Sequence, residues 1–255
     1  MRDADRPFTG RVALVTGAAS GIGRAASLAF AAAGAAVLIS DVDETGGIAV
    51  AAQIETGGGR ALFQRADVTE EAAVAALVER IRAEFGTLDY AFNNVGFSWG
   101  HGATGLSSDD WSRTVDVCMK APWLCMKHEV PLMRAGGGGA IVNTSSMAGV
   151  AYSPTANIAY SAAKAGVIQM TRYAANAFAA DGIRVNCVSP GLTRTAAVEQ
   201  FLDAEEQREL AAQTQPIGRI VDPSEIADAV MWLCSPGAAM VTGENICVSG
   251  GQQAR

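Results

Sequence analysis

The chain has 255 residues, 49% of them hydrophobic, enough to close one substantial core and far from the composition of a disordered segment. Its formal charge is −7 with no basic cluster, which argues against nucleic acid or an anionic membrane as the main partner and turns attention to small-molecule chemistry. In chain order, the segment MRDADRPFTG lacks the apolar stretch of a secretory signal, so a cytoplasmic location is expected. Strands are predicted at 11–16, 35–40, 60–65, 88–93, 139–144, 183–188 and 245–249, each rich in apolar residues and separated from the next by a helical stretch. The weakly apolar run 25–39 contains Ser27 and Gly34 and stops at Asp41, so it reads as helix, turn and strand and not as a membrane span. The glycine run 136–139 is expected to end a helix after Met133 and lead into the fifth strand. Near-continuous apolar strands with helical crossovers imply parallel pairing under helices on both faces. With no repeat, linker or composition break, the expectation is one domain over 1–255, an α/β doubly wound parallel seven-stranded sheet.

The five cysteines, Cys118, Cys125, Cys187, Cys234 and Cys247, are odd in number and show no paired spacing, so neither a disulfide framework nor a zinc site is expected. His101 and His128 have no second ligand at metal spacing.

The first site signal is VTGAASGIGRA, in which Gly17, Ser20, Gly21, Ile22 and Gly23 follow a strand and open a helix. Backbone amides and a helix N-terminus in that setting bind a pyrophosphate, and glycine is required because side chains block the approach. Eighteen residues after Gly23, Asp41 closes the second strand. A carboxylate there accepts hydrogen bonds from both ribose hydroxyls of adenosine and repels a 2′-phosphate, which favours NAD. No arginine or lysine lies between Asp41 and Gly59 to receive such a phosphate.

The second signal is NTSSMAGVAYSPTANIAYSAAKAG, where Tyr160 and Lys164 stand one helical turn apart downstream of the hydroxyl pair Ser145 and Ser146. A phenol and an ammonium on one helix face are either a surface pair or a proton-transfer device.

With these motifs in place the chain resembles the short-chain dehydrogenases/reductases over nearly its whole length. The matching stretches, in family order, are TGAASGIG, ADV at 66–68, NNVG at 93–96, SS at 145–146, YSAAK at 160–164, SPGLTRT at 189–195 and VTGENICVSGG at 241–251. The resemblance implies a Rossmann-like single domain, a nicotinamide cofactor, and oxidation of an alcohol or reduction of a ketone. It assigns Asp67 and Val68 to the adenine ring, Asn93 to the cofactor cleft, and the loop with Pro190, Gly191, Thr193 and Thr195 to the nicotinamide carboxamide. It also implies a homotetramer built on helices 107–134 and 157–181, and a substrate lid over about 193–215.

Within that frame Tyr160 is the catalytic acid or base. Lowering a phenol of ordinary pKa to near neutrality takes about 4 kcal/mol of differential stabilisation of the phenolate. Lys164 is expected to supply charge of the right sign and to bond the nicotinamide ribose. Ser146 is expected to hold the substrate oxygen, with Ser145 as the runner-up. The interval from Ser146 to Tyr160 is one residue longer than the family's usual spacing, an excess that the loop containing Pro154 absorbs.

Three departures stand out. Relatives commonly read DVNLKG where this chain reads DVCMKA, so Cys118 replaces the asparagine that organises a water behind the catalytic lysine. NNVG replaces NNAG, and VSGG replaces VDGG. Around the cleft, Phe97, Trp99, His101, Met147, Tyr152 and the stretch 196–201 are expected near substrate, and their character suits a cyclic or moderately hydrophobic secondary alcohol. Two rivals are a 3-oxoacyl-carrier reductase, opposed by Asp41 and the negative charge, and a catalytically impaired nicotinamide-binding protein, opposed by intact Ser146, Tyr160 and Lys164.

Overall fold

A computed structural model of the chain describes residues 6–200 and 202–254, apart from the side chain of Ala197. The first half of the polar N-terminal segment and Phe201, one of the residues expected near substrate, lie outside the described residues.

Seven strands form one parallel sheet: β1 (Val12–Thr16), β2 (Ala36–Asp41), β3 (Arg60–Arg65), β4 (Tyr90–Asn93), β5 (Gly139–Thr144), β6 (Ile183–Pro190) and β7 (Asn245–Val248). The helices are α1 (Gly21–Ala32), α2 (Glu44–Thr56), α3 (Glu71–Phe85), α4 (Ser108–Val115), α5 (Ala121–Ala135), α6 (Ile158–Phe178), α7 (Ala196–Glu199), α8 (Ala204–Thr214) and α9 (Pro223–Cys234). The strand order is β3-β2-β1-β4-β5-β6-β7, so chain direction across the sheet reverses between β1 and β4. A crevice opens at that switch, outside the carboxyl ends of the strands.

Alternation along each strand sorts side chains to two cores. Ala13, Val15, Val37 and Ile39 join Phe30 of α1, Val50 and Ile54 of α2, and Ile226, Val230 and Leu233 of α9. Val12, Leu14 and Leu38 join Leu77 and Ile81 of α3, Leu124 and Met133 of α5, and Ala174 of α6. At roughly 1.5–3 kcal/mol for each large apolar side chain fully buried, two such layers supply the main favourable term in folding.

The expected strands are present, with ends that shift for local reasons. β4 starts at Tyr90 because the preceding Asp89 turns its carboxylate to the Val12 amide at 2.8 Å and the Arg11 guanidinium at 2.7 Å. β6 runs on to Pro190, whose missing N–H is tolerated at a strand's last residue. The helix expected over 107–134 contains a five-residue π-helical turn, Asp116–Lys120, between α4 and α5. Pro122, in the first turn of α5, has no N–H for the carbonyl of Cys118 four residues back, and its ring crowds that carbonyl, so the turn widens there.

Candidate active site

The loop from β1 to α1 is built by close approach. Gly17 and Gly21 take φ of +63° and +52°, and a Cβ on Gly23 would stand 2.1 Å from the Gly17 carbonyl oxygen. Helices α2, α4, α6, α8 and α9 start with a side-chain cap, whereas the Ser20 hydroxyl makes no capping bond at the start of α1. The first amides of α1 therefore keep their capacity for an anion. Ile22 is half-buried against the core beneath. Asp41 borders this turn, its carboxylate accepting from the Ala19 amide at 2.9 Å and the Asp43 amide at 3.0 Å. A cradle that any Cβ would fill, an uncapped helix start and a fixed carboxylate suit a dinucleotide.

Opposite the glycine turn lies the loop after β6. A Cβ on Gly21 would meet Thr195 Cγ2 at 3.1 Å, so the expected phosphate and nicotinamide segments face each other. Pro190 ends β6, the Gly191 amide bonds the Val248 carbonyl, Thr193 is buried with its hydroxyl on the Gly191 carbonyl, and Thr195 caps α7. Gly191 packs on Gln215, a fully buried residue just past α8. Asp67 is exposed and bonds Thr69, while Val68 is buried in the core beside it.

Lys164 is 1% exposed and has no carboxylate partner among the described residues; its Nζ donates to the Thr144 carbonyl at 2.7 Å and lies 5.6 Å from the centre of the Tyr160 ring. An ammonium taken out of water without a counter-ion is costly, so this is no surface pair. Burial pulls the Lys164 pKa down. Ser146 caps the short 3₁₀ turn Met147–Gly149, its Oγ accepting from the Ala148 amide at 3.2 Å, and its hydroxyl stands close enough to Tyr160 to pull the phenol's pKa down. Ser145, the runner-up, donates from a buried position to the Lys164 carbonyl at 2.7 Å, a structural contact that leaves Ser146 for chemistry.

The phenol departs from expectation. Burial and the neighbouring Cys118 raise the Tyr160 pKa above its ordinary value, and only the Ser146 hydrogen bond pulls it down. Favouring the phenolate therefore takes positive charge close by, for which the expected sources are Lys164 and an oxidised nicotinamide ring together.

Asn93 is also placed otherwise than expected. Its Nδ2 faces the interior, donating to Glu129 Oε2 and Asn143 Oδ1, both at 3.1 Å. The cleft side belongs to Asn94, whose amide meets the Thr16 hydroxyl at 3.1 Å and whose Nδ2 meets the Gly17 carbonyl at 3.2 Å. Adjacent residues leaving a strand point to opposite faces, and that alternation was the signal for choosing Asn94. Cys118, fully buried in the π-helical turn, donates its thiol to the Phe97 carbonyl at 3.1 Å.

On the substrate side, Phe97 and Trp99 stack edge to face at 4.9 Å. Asn157 is a contact missed from sequence, although an asparagine three residues before Tyr160 is a cap signal. It caps α6 by accepting from the Tyr160 amide at 2.8 Å and clamps the loop by donating to the carbonyls of Trp99 at 2.8 Å and Gly100 at 3.1 Å. His101 and Tyr152 are exposed, Tyr152 at 88%, and Met147 is buried at 3%. None of these three is drawn into the Ser146–Tyr160–Lys164 group by a hydrogen bond.

A family model described as enoyl-(acyl carrier protein) reductase matches residues 17–253. The chain is 46% identical to cis-4-hydroxycyclohexanecarboxylate dehydrogenase of Sinomonas cyclohexanicum, over 97% of this chain and 98% of that one. It is 40% identical to cyclohexanol dehydrogenase of Acinetobacter sp. strain SE19, over 95% of each. Its fold superposes, with a TM-score of 0.91 at 31% identity, on 7α-hydroxysteroid dehydrogenase complexed with NADH and 7-oxo glycochenodeoxycholic acid, covering 98% of this chain and 97% of that one. With the sheet order, the glycine turn and the half-buried Tyr160 beside the buried Lys164, these likenesses place the chain in the short-chain dehydrogenase/reductase family of oxidoreductases.

Proposed function

We propose that the chain interconverts a secondary alcohol on a carbocyclic ring and the corresponding ketone, with NAD(H) as cofactor. The observation that carries this reading is Lys164, an ammonium buried without a counter-ion behind Tyr160 and Ser146. The likeness to dehydrogenases of six-membered-ring alcohols supplies the substrate class.

Gly17, Ser20, Gly21, Ile22 and Gly23 cradle the pyrophosphate, Asp41 bonds the adenosine ribose, and Asp67 and Val68 flank the adenine. Asn94 takes the place of Asn93 at the cleft. Pro190, Gly191, Thr193 and Thr195 hold the nicotinamide end, and the segment over about 193–215, which folds into α7 and α8, closes over substrate. When bound, oxidised nicotinamide supplies the hydride acceptor and a positive charge beside the phenol. Ser146 donates to the substrate oxygen and Tyr160 removes the alcohol proton; in the reverse direction Tyr160 returns it to the ketone. Lys164 bonds the ribose and keeps positive charge behind the phenol.

Arg113 favours a ring that carries a carboxylate. Its guanidinium stacks over Trp99 at 4.3 Å, in the loop that Asn157 clamps to the tyrosine helix, and it has no carboxylate partner among the described residues. A guanidinium presented in that way is a ready partner for an anionic substituent. Assembly as a homotetramer is supported by Trp111 of α4, Trp123 of α5 and Tyr173 of α6, apolar side chains 42%, 48% and 76% exposed on the helices expected to pair. Among the described residues, no helix is long and apolar enough to cross a membrane.

The test is turnover of cyclohexanol and of a hydroxycyclohexanecarboxylate, followed by absorbance of the reduced cofactor. Arg113→Leu is expected to raise KM for the carboxylate at least about tenfold, roughly 1.4 kcal/mol, and to leave cyclohexanol within about twofold. Failure of the wild type to oxidise either alcohol contradicts the proposal.

A further inference from the structure

Glu129 lies in the middle of α5 and is fully buried. Its Oε2 accepts from Asn93 Nδ2 at 3.1 Å, the same Nδ2 donates to Asn143 Oδ1 at 3.1 Å, and Asn143 Nδ2 donates onward to Thr171 Oγ1 at 3.0 Å and Met126 Sδ at 3.5 Å. Two oxygens of this otherwise paired network lack a donor: Glu129 Oε1 and Asn93 Oδ1. They belong to the two partners of one existing hydrogen bond. With the carboxyl ionised both are acceptors and neither can serve the other. A single proton on Oε1 converts it into a donor to Asn93 Oδ1, so that the carboxyl and the carboxamide close a ring of two hydrogen bonds and both orphans are satisfied.

We propose that Glu129 is a proton-carrying positioning residue, a neutral carboxylic acid at pH 7 bonded twice to Asn93, which holds the ends of β4 and β5 in register behind the active site. Asn93 leads directly to Asn94, which meets the glycine turn, and Asn143 leads directly to Thr144, whose carbonyl holds Lys164. Burial supports the assignment, pushing the Glu129 pKa up to about 8 against the Asn93 hydrogen bond. The groups that bond it or its network from β4, β5 and α6 are Asn93, Asn143 and Thr171, none of them titratable. Two thiols face it or its network: Cys125, one turn earlier on α5, and Cys187 of β6, which meets Thr171; burial holds both well above their ordinary value. What the positioning serves rests on the proposed function, but the proton itself does not.

The folded-state pKa stands above the ordinary value of 4.5, so the folded protein keeps a proton that the unfolded chain has lost. Stability from this site is complete below the ordinary value, declines as pH rises to about 8, and is level beyond. Glu129→Gln does not titrate and offers an N–H where the acid offers an O–H. The experiment compares melting temperatures of the wild type and Glu129→Gln from pH 5 to 9.5. The variant's advantage is expected to grow up to about pH 8 and then level off; a constant difference overturns the proposal. A second measurement uses the wild type alone: the infrared C=O band of a protonated carboxyl is expected at pH 7 and fades above pH 8, and its absence at pH 7 overturns the proposal whatever the variant does. For the positioning role, the NADH dissociation constant is expected to weaken severalfold more between pH 7 and 9.5 in the wild type than in Glu129→Gln, since titration of Lys164 is common to both. Equal weakening in both contradicts that role. None of these readouts requires turnover, so their failure is distinguishable from failure of the dehydrogenase reading.

Discussion

The two halves of the sheet are built on different principles. In the half from β1 to β3 the site is made of backbone: glycines that let amides approach an anion, and Asp41 held by two amides close in sequence or space. Before β4, the buried polar or charged side chains among the described residues are Thr16, Ser27, Ser40 and Asp89. From β4 onward the interior holds Asn93, Glu129, Asn143, Thr144, Ser145, Asn157, Lys164 and Thr171, nearly all tied to partners far away in the chain. Burying polar groups is unfavourable unless each is paired. The first half is shaped to bind an anion, as proposed, at little energetic cost, and the second sacrifices stability to hold an ammonium out of water beside a half-buried phenol.

Lys164→Met sharpens this contrast most. It removes a buried cation with no counter-ion, so the melting temperature is expected to hold or rise, while turnover falls by about 10² to 10⁴, the range typical of a lost acid–base group. Calorimetry and a steady-state assay on the same preparation check both parts. A marked fall in melting temperature with turnover retained would make Lys164 a structural residue.

In the first half the expected effect is smaller. With Asp41 at the 2′ position as proposed, NAD(H) is expected to bind at least about tenfold more tightly than NADP(H), roughly 1.4 kcal/mol. Titration of both cofactors measures it, and equal or reversed affinities reject that role for Asp41.

Cys118→Asn is expected to change turnover least, by less than about tenfold. The thiol already bonds the Phe97 carbonyl, and Ser146, Tyr160 and Lys164 are all in place. A gain of about 10² or more would show that the native chain is impaired at this position, and the binding-protein reading would gain accordingly.

The same contrast accounts for what could be read from the sequence. Gly17, Gly21 and Gly23 were legible because a steric demand on backbone leaves a local spacing. Tyr160 and Lys164 were legible because one helical turn joins them. Asn93 was misplaced because NNVG gives two asparagines in a row, and only strand alternation decides which one faces the cleft. The partners of Glu129 were not legible: Asn93, Asn143 and Thr171 lie in separate elements and meet only once the sheet is assembled. The π-helical turn depends on Pro122, and its placement of Cys118 against Phe97 emerges only from packing.

In the proposed reaction Tyr160 moves the alcohol proton. The most direct measurement is the pH dependence of kcat/KM for NAD-dependent oxidation of a cyclic secondary alcohol in the wild type and in Tyr160→Phe. At saturating NAD, whose positive ring with Lys164 is expected to outweigh the rise that burial imposes on the phenol, wild-type activity is expected to rise with pH through one ionisation below the ordinary tyrosine value of about 10, the phenolate being the active form. Tyr160→Phe is expected to lose at least about 10² in turnover together with that rise. A Tyr160→Phe enzyme that keeps near-normal turnover and the wild-type pH profile would contradict the account.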